Sequence, residues 1–451
     1  MKIVIAGAGE VGFHLIERLY REGISLSVID TDKWILQELK DKFDIQVDQA
    51  NIIDSRFLRK AHLKDADLFL AITNSDETNM IACKMAKSAG VKTTVCRIRS
   101  VQLEGAKKDA SLASLGIDHI INPVELVADE LCQMVIAPNL VDRHLFDEGR
   151  LALFGYQVQD YNRFVGKTFA EIQSQLRGLS ISLALLSRQE RCFLPDPEHR
   201  LEVSDQLYVF CPTAHHAQLR EEMGYTKVSA KSKRVMINGG GHIGLRLASR
   251  LEKTAHQVRI IEPNEVRAQR IAGRLSKAMV LQFDGTELKK LEAEGVDEQD
   301  FFISVTSLEE VNLTACLMAK QHSDAKAICL VKQQELIAIL ERATAIDRAI
   351  SPRLTTSRSL DQFIGEGRVK SAFSQGSMQI LELYLQNGSK GVGLKIGDLE
   401  LGDATAIGMV KRGESFVIPS ASLVLEAGDL ILLLVHRLDK PMILEKFGLG
   451  S

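Results

Sequence analysis

The chain opens on a short apolar run, Lys2-Ile-Val-Ile-Ala-Gly7, rich in branched residues, as a strand buried in a parallel sheet should be. Glycines follow at once. Val11–Tyr20 then takes helical spacing, with Leu15 and Leu19 on one face. Ser25–Asp30 reads as a strand, Asp32–Phe43 as a helix and Asp65–Thr73 as a strand; Asp76–Gly90 reads as a helix closed by its glycine, and Thr93–Ile98 as a further strand. Strands alternating with helices over short connections predict a doubly wound parallel sheet with right-handed crossovers. Leu151–Val158, Leu179–Ser187 and Asp205–Cys211 are apolar or alternating runs without helical period, so the following region reads as β-rich.

The whole plan then recurs. Gly7, Gly9 and Gly12 return as Gly239, Gly241 and Gly244, each 232 positions later, and Asp30 returns as Glu262 at the same displacement. Ala66–Lys87 matches Gln299–Lys320 at 233, and Asp118–Pro123 matches Asp347–Pro352 at 229. Cys83 and Cys96 stand thirteen apart, as do Cys316 and Cys329. The β-rich part recurs as Met378–Leu385, Thr405–Lys411 and Asp429–His436, with Val392-Gly393 echoing Val165-Gly166. Register held through so many landmarks means a duplicated unit, in the order A–B–A–B. The predicted bounds are 1–137 and 232–365 for the two Rossmann-like units, and 138–226 and 366–451 for two small β-rich α+β domains. The polar stretch 226–233 reads as the linker between halves.

Composition narrows the function. In 451 residues, 45% hydrophobic and 25% charged, ordinary cores are expected. Lys and Arg number 56 against 59 Asp and Glu, a net charge of -3, which argues against a nucleic-acid partner. The seven cysteines are scattered without a CxxC pair, so a disulfide framework and a cysteine zinc site are both disfavoured and a reducing compartment is expected. No apolar run approaches the ~20 residues of a membrane helix.

The candidate chemistry sits at the glycine turns. Each opens a helix directly after a strand, and an acidic residue ends the next strand about twenty residues on, the dinucleotide-binding context. Gly7 and Gly239 permit the tight turn, Gly9 and Gly241 let backbone approach a pyrophosphate, and Gly12 and Gly244 let helix and strand pack. The helix N-terminus offers free N–H groups and partial positive charge. Asp30 and Glu262 can accept from ribose hydroxyls and repel a 2′-phosphate, which favours NAD(H) over NADP(H); ATP or ADP fits the same groups. Thr73 and Asn74, with Thr306 and Ser307, end the fourth strand and either touch the nucleotide or cap the next helix. Arg97 is placed to pair with a phosphate, but its counterpart is Leu330. Asn79 and Asn312 read as buried polar contacts, the repeated cysteines as small hydrophobes, and His215-His216 as solvated histidines rather than metal ligands. No nucleophile, acid–base pair or metal motif accompanies the turns, so a catalytic site and a metal site are not expected.

These residues resemble a known family. The A units are similar to RCK (KTN) N-terminal domains and the B units to RCK C-terminal domains, and the tandem resembles the cytosolic regulatory subunits of bacterial Trk potassium uptake systems. Gly7-Ala8-Gly9-Glu10-Val11-Gly12 with Asp30, Asp67–Thr73, Ser75–Asn79, Cys96–Arg99 and Asn122-Pro123 carry the likeness. It implies a peripheral, non-enzymatic protein on the cytoplasmic face of the inner membrane. Its partner would be a membrane K⁺-translocating subunit, and it would assemble as a homo-oligomer, a tetrameric ring, whose shape nucleotide binding changes. Matched by position, Gly7 to Val11 would hold the pyrophosphate, Asp30 the ribose, and Thr73, Asn74 and Arg97 the rest of the first pocket. Gly239, Gly240, Gly241, His242 and Ile243, with Gly244, Glu262, Thr306 and Ser307, form the second. The family's Gly-Asp-Ala-Ser/Thr turn after the third strand is replaced by Gln49-Ala50-Asn51 in the first copy, against Asp284-Gly285-Thr286 in the second. Two other functional classes stay open: an NAD-dependent oxidoreductase, and a nucleotide sensor of a different cation transporter.

Overall fold

The structure is a computed structural model and describes residues 1–21, 23–54, 62–99, 115–189, 191–225, 232–343, 345–360, 363–366 and 369–448. Most of the linker read at 226–233 lies outside these residues. The chain divides into two compact units, Met1–Cys132 with Ser232–Leu360, and Gln133–Lys231 with Asp361–Ser451. Like copies are therefore grouped together.

In the first unit, β1 (Lys2–Ala6), β2 (Ser25–Asp30), β3 (Gln46–Gln49), β4 (Leu68–Ala71), β5 (Thr93–Arg97) and β6 (His119–Ile121) form a parallel sheet in the order β3-β2-β1-β4-β5-β6. β1 and β4 are buried on both faces, which is why they read as unbroken apolar runs. The strand order reverses between β1 and β4, and the glycine turn follows β1 at that switch point, where such sheets bind ligands. Before the second copy come five strands of the other unit: β7 (Leu140–Phe146), β8 (Leu151–Gln157), β9 (Ser182–Arg188), β10 (Arg191–Phe193) and β11 (Gln206–Pro212). The second sheet follows with β12 (Arg234–Asn238), β13 (Gln257–Ile261), β14 (Met279–Leu281), β15 (Phe301–Ser304), β16 (Lys326–Leu330) and β17 (Arg348–Ile350), in the matching order β14-β13-β12-β15-β16-β17.

The two sheets' helices are joined by charge. Helix Pro123–Ile136 begins at Asn122, whose Oδ1 accepts from the N–H of Val124 and Glu125 at 3.0 and 3.2 Å. Its Glu125 takes Arg246 and Arg250 of the second copy, both at 2.5 Å, and Asp129 takes Arg250 at 2.6 Å. In the other direction Arg353, from helix Pro352–Leu360, pairs with Glu10 of the first copy.

The repeated cysteines are buried members of the two Rossmann cores. Cys96 beside it and burial raise the Cys83 thiol, and burial with Cys329 raises Cys316. These thiols stay protonated and pack as small apolar groups, as the sequence reading held.

The second unit is built from antiparallel sheets. β7 to β11 run in the order β10-β9-β11-β8-β7. The other sheet holds β18 (Gly365–Glu366), β19 (Val369–Gln375), β20 (Met378–Tyr384), β21 (Thr405–Arg412), β22 (Ser415–Val417) and β23 (Leu430–His436) in the order β18-β19-β20-β23-β21-β22. Period-two alternation is preserved although both faces are apolar. Ala152, Phe154 and Tyr156 of β8 enter one cluster, whereas Leu151 and Leu153 enter another that contains Ile380 and Leu434 of the second sheet. A clamp repeats as well. Arg188 binds Asp205 and Glu202 and donates to the Arg200 carbonyl; Arg412 binds Asp429 and Glu426 and donates to Val424. All of these partners are displaced by 224 positions.

His215 and His216 are not the solvated pair expected. His215 Nδ1 lies 2.6 Å from the Leu179 carbonyl. His216 stacks on Phe154 at 3.8 Å, and its Nε2 shares a 2.5 Å hydrogen bond with the Tyr156 hydroxyl. Burial, aided by Arg220 and Arg143, pushes the His216 pKa down to about 4. The unfolded value is about 6.5, so stability is intact above that pH and is lost as pH falls toward 4, because the unfolded chain protonates first. Denaturant titrations at pH 7 and pH 5 should show a larger loss for the parent protein than for His216→Gln. Equal losses would remove His216 as the cause.

Candidate functional site

Both glycine turns have the same geometry. Gly7 and Gly239 have φ of +107° and +112°, and a Cβ on either would lie 2.8 and 2.9 Å from the backbone nitrogens of Thr73 and Thr306. The turn thus needs glycine twice over, for its left-handed backbone and for its approach to the neighbouring strand end. At Gly12 and Gly244 a Cβ would meet the Gly7 and Gly239 carbonyl oxygens at 2.1 and 1.9 Å. This refines the expected role: the third glycine packs the helix chiefly against its own turn. Around Gly9 and Gly241 a Cβ would meet nothing within 4 Å, so the space before the helices Glu10–Arg21 and His242–Leu251 is open.

The strand-end acids brace the turns. Asp30 accepts from the N–H of Ala8 at 2.6 Å and of Asp32 at 2.9 Å. Glu262 accepts from Gly240 at 3.1 Å and Asn264 at 2.9 Å, and also pairs with Arg267 at 3.2 Å. Val11 is buried under the first turn, Ile243 is half-buried, and Glu10 and His242 stand exposed at the helix starts.

The opposite wall is set by two asparagines. Asn79 is 0% exposed; its Oδ1 accepts from the N–H and hydroxyl of Thr73, and its Nδ2 donates to the carbonyls of Thr73 and Arg97. Asn312 repeats this with Thr306 and Leu330. One amide therefore ties the ends of β4 and β5 to the following helix, and again in the second copy. The buried-contact reading of these residues is what the structure shows. Thr73 and Asn74 do not cap that helix: Ser75 does, accepting from Thr78. In the second copy Leu308 occupies the cap position without a side-chain bond. Asn74 and Ser307 are exposed. Arg97 sits between the two strand ends, with Nη1 3.4 Å from the Ile72 carbonyl and a buried Nε that has no hydrogen-bond partner among the described residues. Burial and nearby Arg99 lower its pKa. An orphaned guanidinium N–H beside an open cradle suits an anionic group.

A cavity of about 500 Å³ lies at the second cradle, with Asn238, Glu262, Arg270, Arg274, Asp284 and Thr306 in its wall. Its floor differs from the first copy in a way that no single motif announces. A Cβ on Gly285 would lie 2.2 Å from the Asn238 Oδ1, and Asn238 donates to Ser304 at 2.9 Å. The register of β14 and β3 places Ala6 and buried Ile52 at the equivalent positions. A large polar residue with glycine thus replaces a small residue with a large apolar one. Among the described residues no group of three or more His, Cys, Asp or Glu is placed to hold a metal, and no helix is long and apolar enough to cross a membrane.

Comparison with known proteins agrees with this architecture. The TrkA-N domain family matches residues 3–123 and 235–352, and the TrkA-C domain family matches 380–448. The Trk system potassium uptake proteins TrkA of Halomonas elongata and Haemophilus influenzae are each 31% identical over 96% of this chain, covering 96% and 95% of the two relatives. Among solved structures, the GsuK channel bound to NAD superposes with a TM-score of 0.65 at 18% identity, covering 99% of this chain and 79% of that one. The GsuK RCK domain gives 0.63 at 16%, covering 99% and 95%. The relatives are named for potassium uptake and not for a reaction. With both Rossmann copies matched and 31% of residues identical along nearly the full length, the chain belongs to the TrkA family.

Proposed function

We propose that this chain is the regulatory subunit of a potassium uptake system and reads adenine nucleotides at its two glycine cradles, NAD(H) first at the cradle of Gly7 and Asp30, with ATP or ADP competing for the same groups. Turn N–H groups and the helix start hold the pyrophosphate, and Asp30 orients the ribose with the lone pairs left by its two backbone bonds. Arg97 places its orphaned N–H on phosphate in the first copy only. The protein acts on the cytoplasmic face of the inner membrane, as a homo-oligomeric, tetrameric ring bound to a membrane K⁺-translocating subunit. Nucleotides gate transport by binding two ring shapes with different affinity. The observation that carries this reading is the pair of open cradles in a chain related throughout to potassium uptake proteins. A structure of the same fold, itself a channel, is described as bound to NAD.

Gly9→Ala is the sharpest test, because its methyl enters open space and leaves the fold alone. The melting temperature should stay unchanged while NADH affinity at the first cradle falls by about tenfold or more, as measured by isothermal titration. K⁺ uptake in cells carrying Gly9→Ala or Asp30→Ala should lose its nucleotide response. Unchanged NADH and ATP binding in both variants defeats the assignment.

A further inference from the structure

The two cradles differ most along the helix that follows the acidic strand end. N-caps Asp32 and Asn264 are equivalent, as are buried Leu36 with Ala268 and Leu39 with Ile271. In that register Arg267, Arg270 and Arg274 of the second copy replace Ile35, Glu38 and Lys42 of the first. Glu38 and Lys42 neutralise each other at 2.8 Å. In the second copy only Arg267 is engaged, on Glu262. The side chains of Arg270 and Arg274 have no acidic or hydrogen-bonding partner among the described residues, although both line the cavity.

Position decides what these cations recognise. Arg267 lies against Glu262, at the end of β13, where the adenosine ribose of a dinucleotide rests. Arg270 follows on the same helix, Glu265–Ala272, and Arg274 stands in the turn just past its end, both in the wall of the cavity. The charge that would repel a ribose phosphate is also muted: Glu262 is 1% exposed and is met by two backbone N–H groups and a guanidinium. Asp284 spends Oδ1 on the N–H and hydroxyl of Thr286. An arginine near the ribose hydroxyls is the standard device for holding a 2′-phosphate.

We propose that the second cradle selects adenine nucleotides carrying a phosphate monoester on the adenosine ribose, NADP(H) being the dinucleotide of that class, while the first takes the unphosphorylated dinucleotide. The inference rests on the reading that the cradles bind nucleotides.

The test is isothermal titration of the full chain carrying Gly9→Ala, which weakens the first cradle, with NADPH, NADH and ATP in separate runs and the tighter phase assigned to the second cradle. NADPH should bind about tenfold or more tightly than NADH or ATP. Adding Arg270→Ala and Arg274→Ala, two exposed positions whose loss leaves folding intact, should bring NADPH down to the NADH level while NADH changes by no more than about twofold. NADH binding as tightly as NADPH overturns the selectivity and leaves the nucleotide reading standing. ATP matching NADPH, and weakening equally in the arginine variant, overturns it too, by moving the arginines to the polyphosphate tail. A folded protein that binds none of the three overturns both.

Discussion

Gly244→Ala is expected to cost about 3 kcal/mol or more and to abolish nucleotide binding at the second cradle, whereas Gly241→Ala, three residues earlier, leaves stability unmoved and affects binding only. The contrast follows from what a methyl would strike. At Gly244 it would sit 1.9 Å from the carbonyl oxygen of Gly239, an atom that cannot retreat. Gly239 is held at φ +112°, its N–H bonds the Ile261 carbonyl at 2.9 Å, and Thr306 closes the other side. Either the helix slides or the turn opens, and both break the cradle. Gly12 repeats the situation at 2.1 Å. Urea denaturation of Gly9→Ala, Gly12→Ala, Gly241→Ala and Gly244→Ala separates the classes, and a Gly244→Ala protein as stable as its parent would refute the packing role.

Asn79→Ala is expected to be nearly as severe, at about 3 kcal/mol, although the residue faces no ligand. Its removal strands the Thr73 N–H and the Thr73 and Arg97 carbonyls and leaves the Thr73 hydroxyl only its bonds with Ser75, and each orphaned group costs on the order of 1 kcal/mol or more. Because Thr73 backs the glycine turn, the same change should loosen the cradle and weaken NADH binding. Asn79→Asp keeps the acceptor and loses the donor, so it should break the ties to the Thr73 and Arg97 carbonyls while retaining the bonds from the Thr73 N–H and hydroxyl. The measurement is stability and NADH affinity for both variants. Loss of stability with full affinity would confine Asn79 to the scaffold.

The glycine turns, the acids and the asparagines were legible because each depends on neighbours close in sequence or on a duplicated pattern. Gly7 and Asp30 are separated by one helix, and Asn79 reaches Thr73 across six residues. What escaped was set by topology. Arg250 and Glu125 lie 125 positions apart and meet only because two complete sheets come together. His216 finds Phe154 and Tyr156 across an antiparallel domain, so a polar dipeptide that reads as solvated becomes a neutral core contact. The neutralisation of Glu262 by Arg267 lay within reach, five residues on along a helix. The Arg188 and Arg412 clamps were also readable in principle, since their spacing to Asp and Glu is identical in both copies.

The ionic grip between the Rossmann copies has no mirror image. Arg353 meets Glu10, but the matching positions are Val124 and His242, which cannot form the same bond. The second copy has Leu354 where the first has Glu125, so paired with itself it would lack the carboxylate that holds Arg246 and Arg250. Tandem fusion therefore does something that simple self-association of a single module cannot: it fixes an unequal couple, in which one member can alter its taste for ligand without forcing that change on the other.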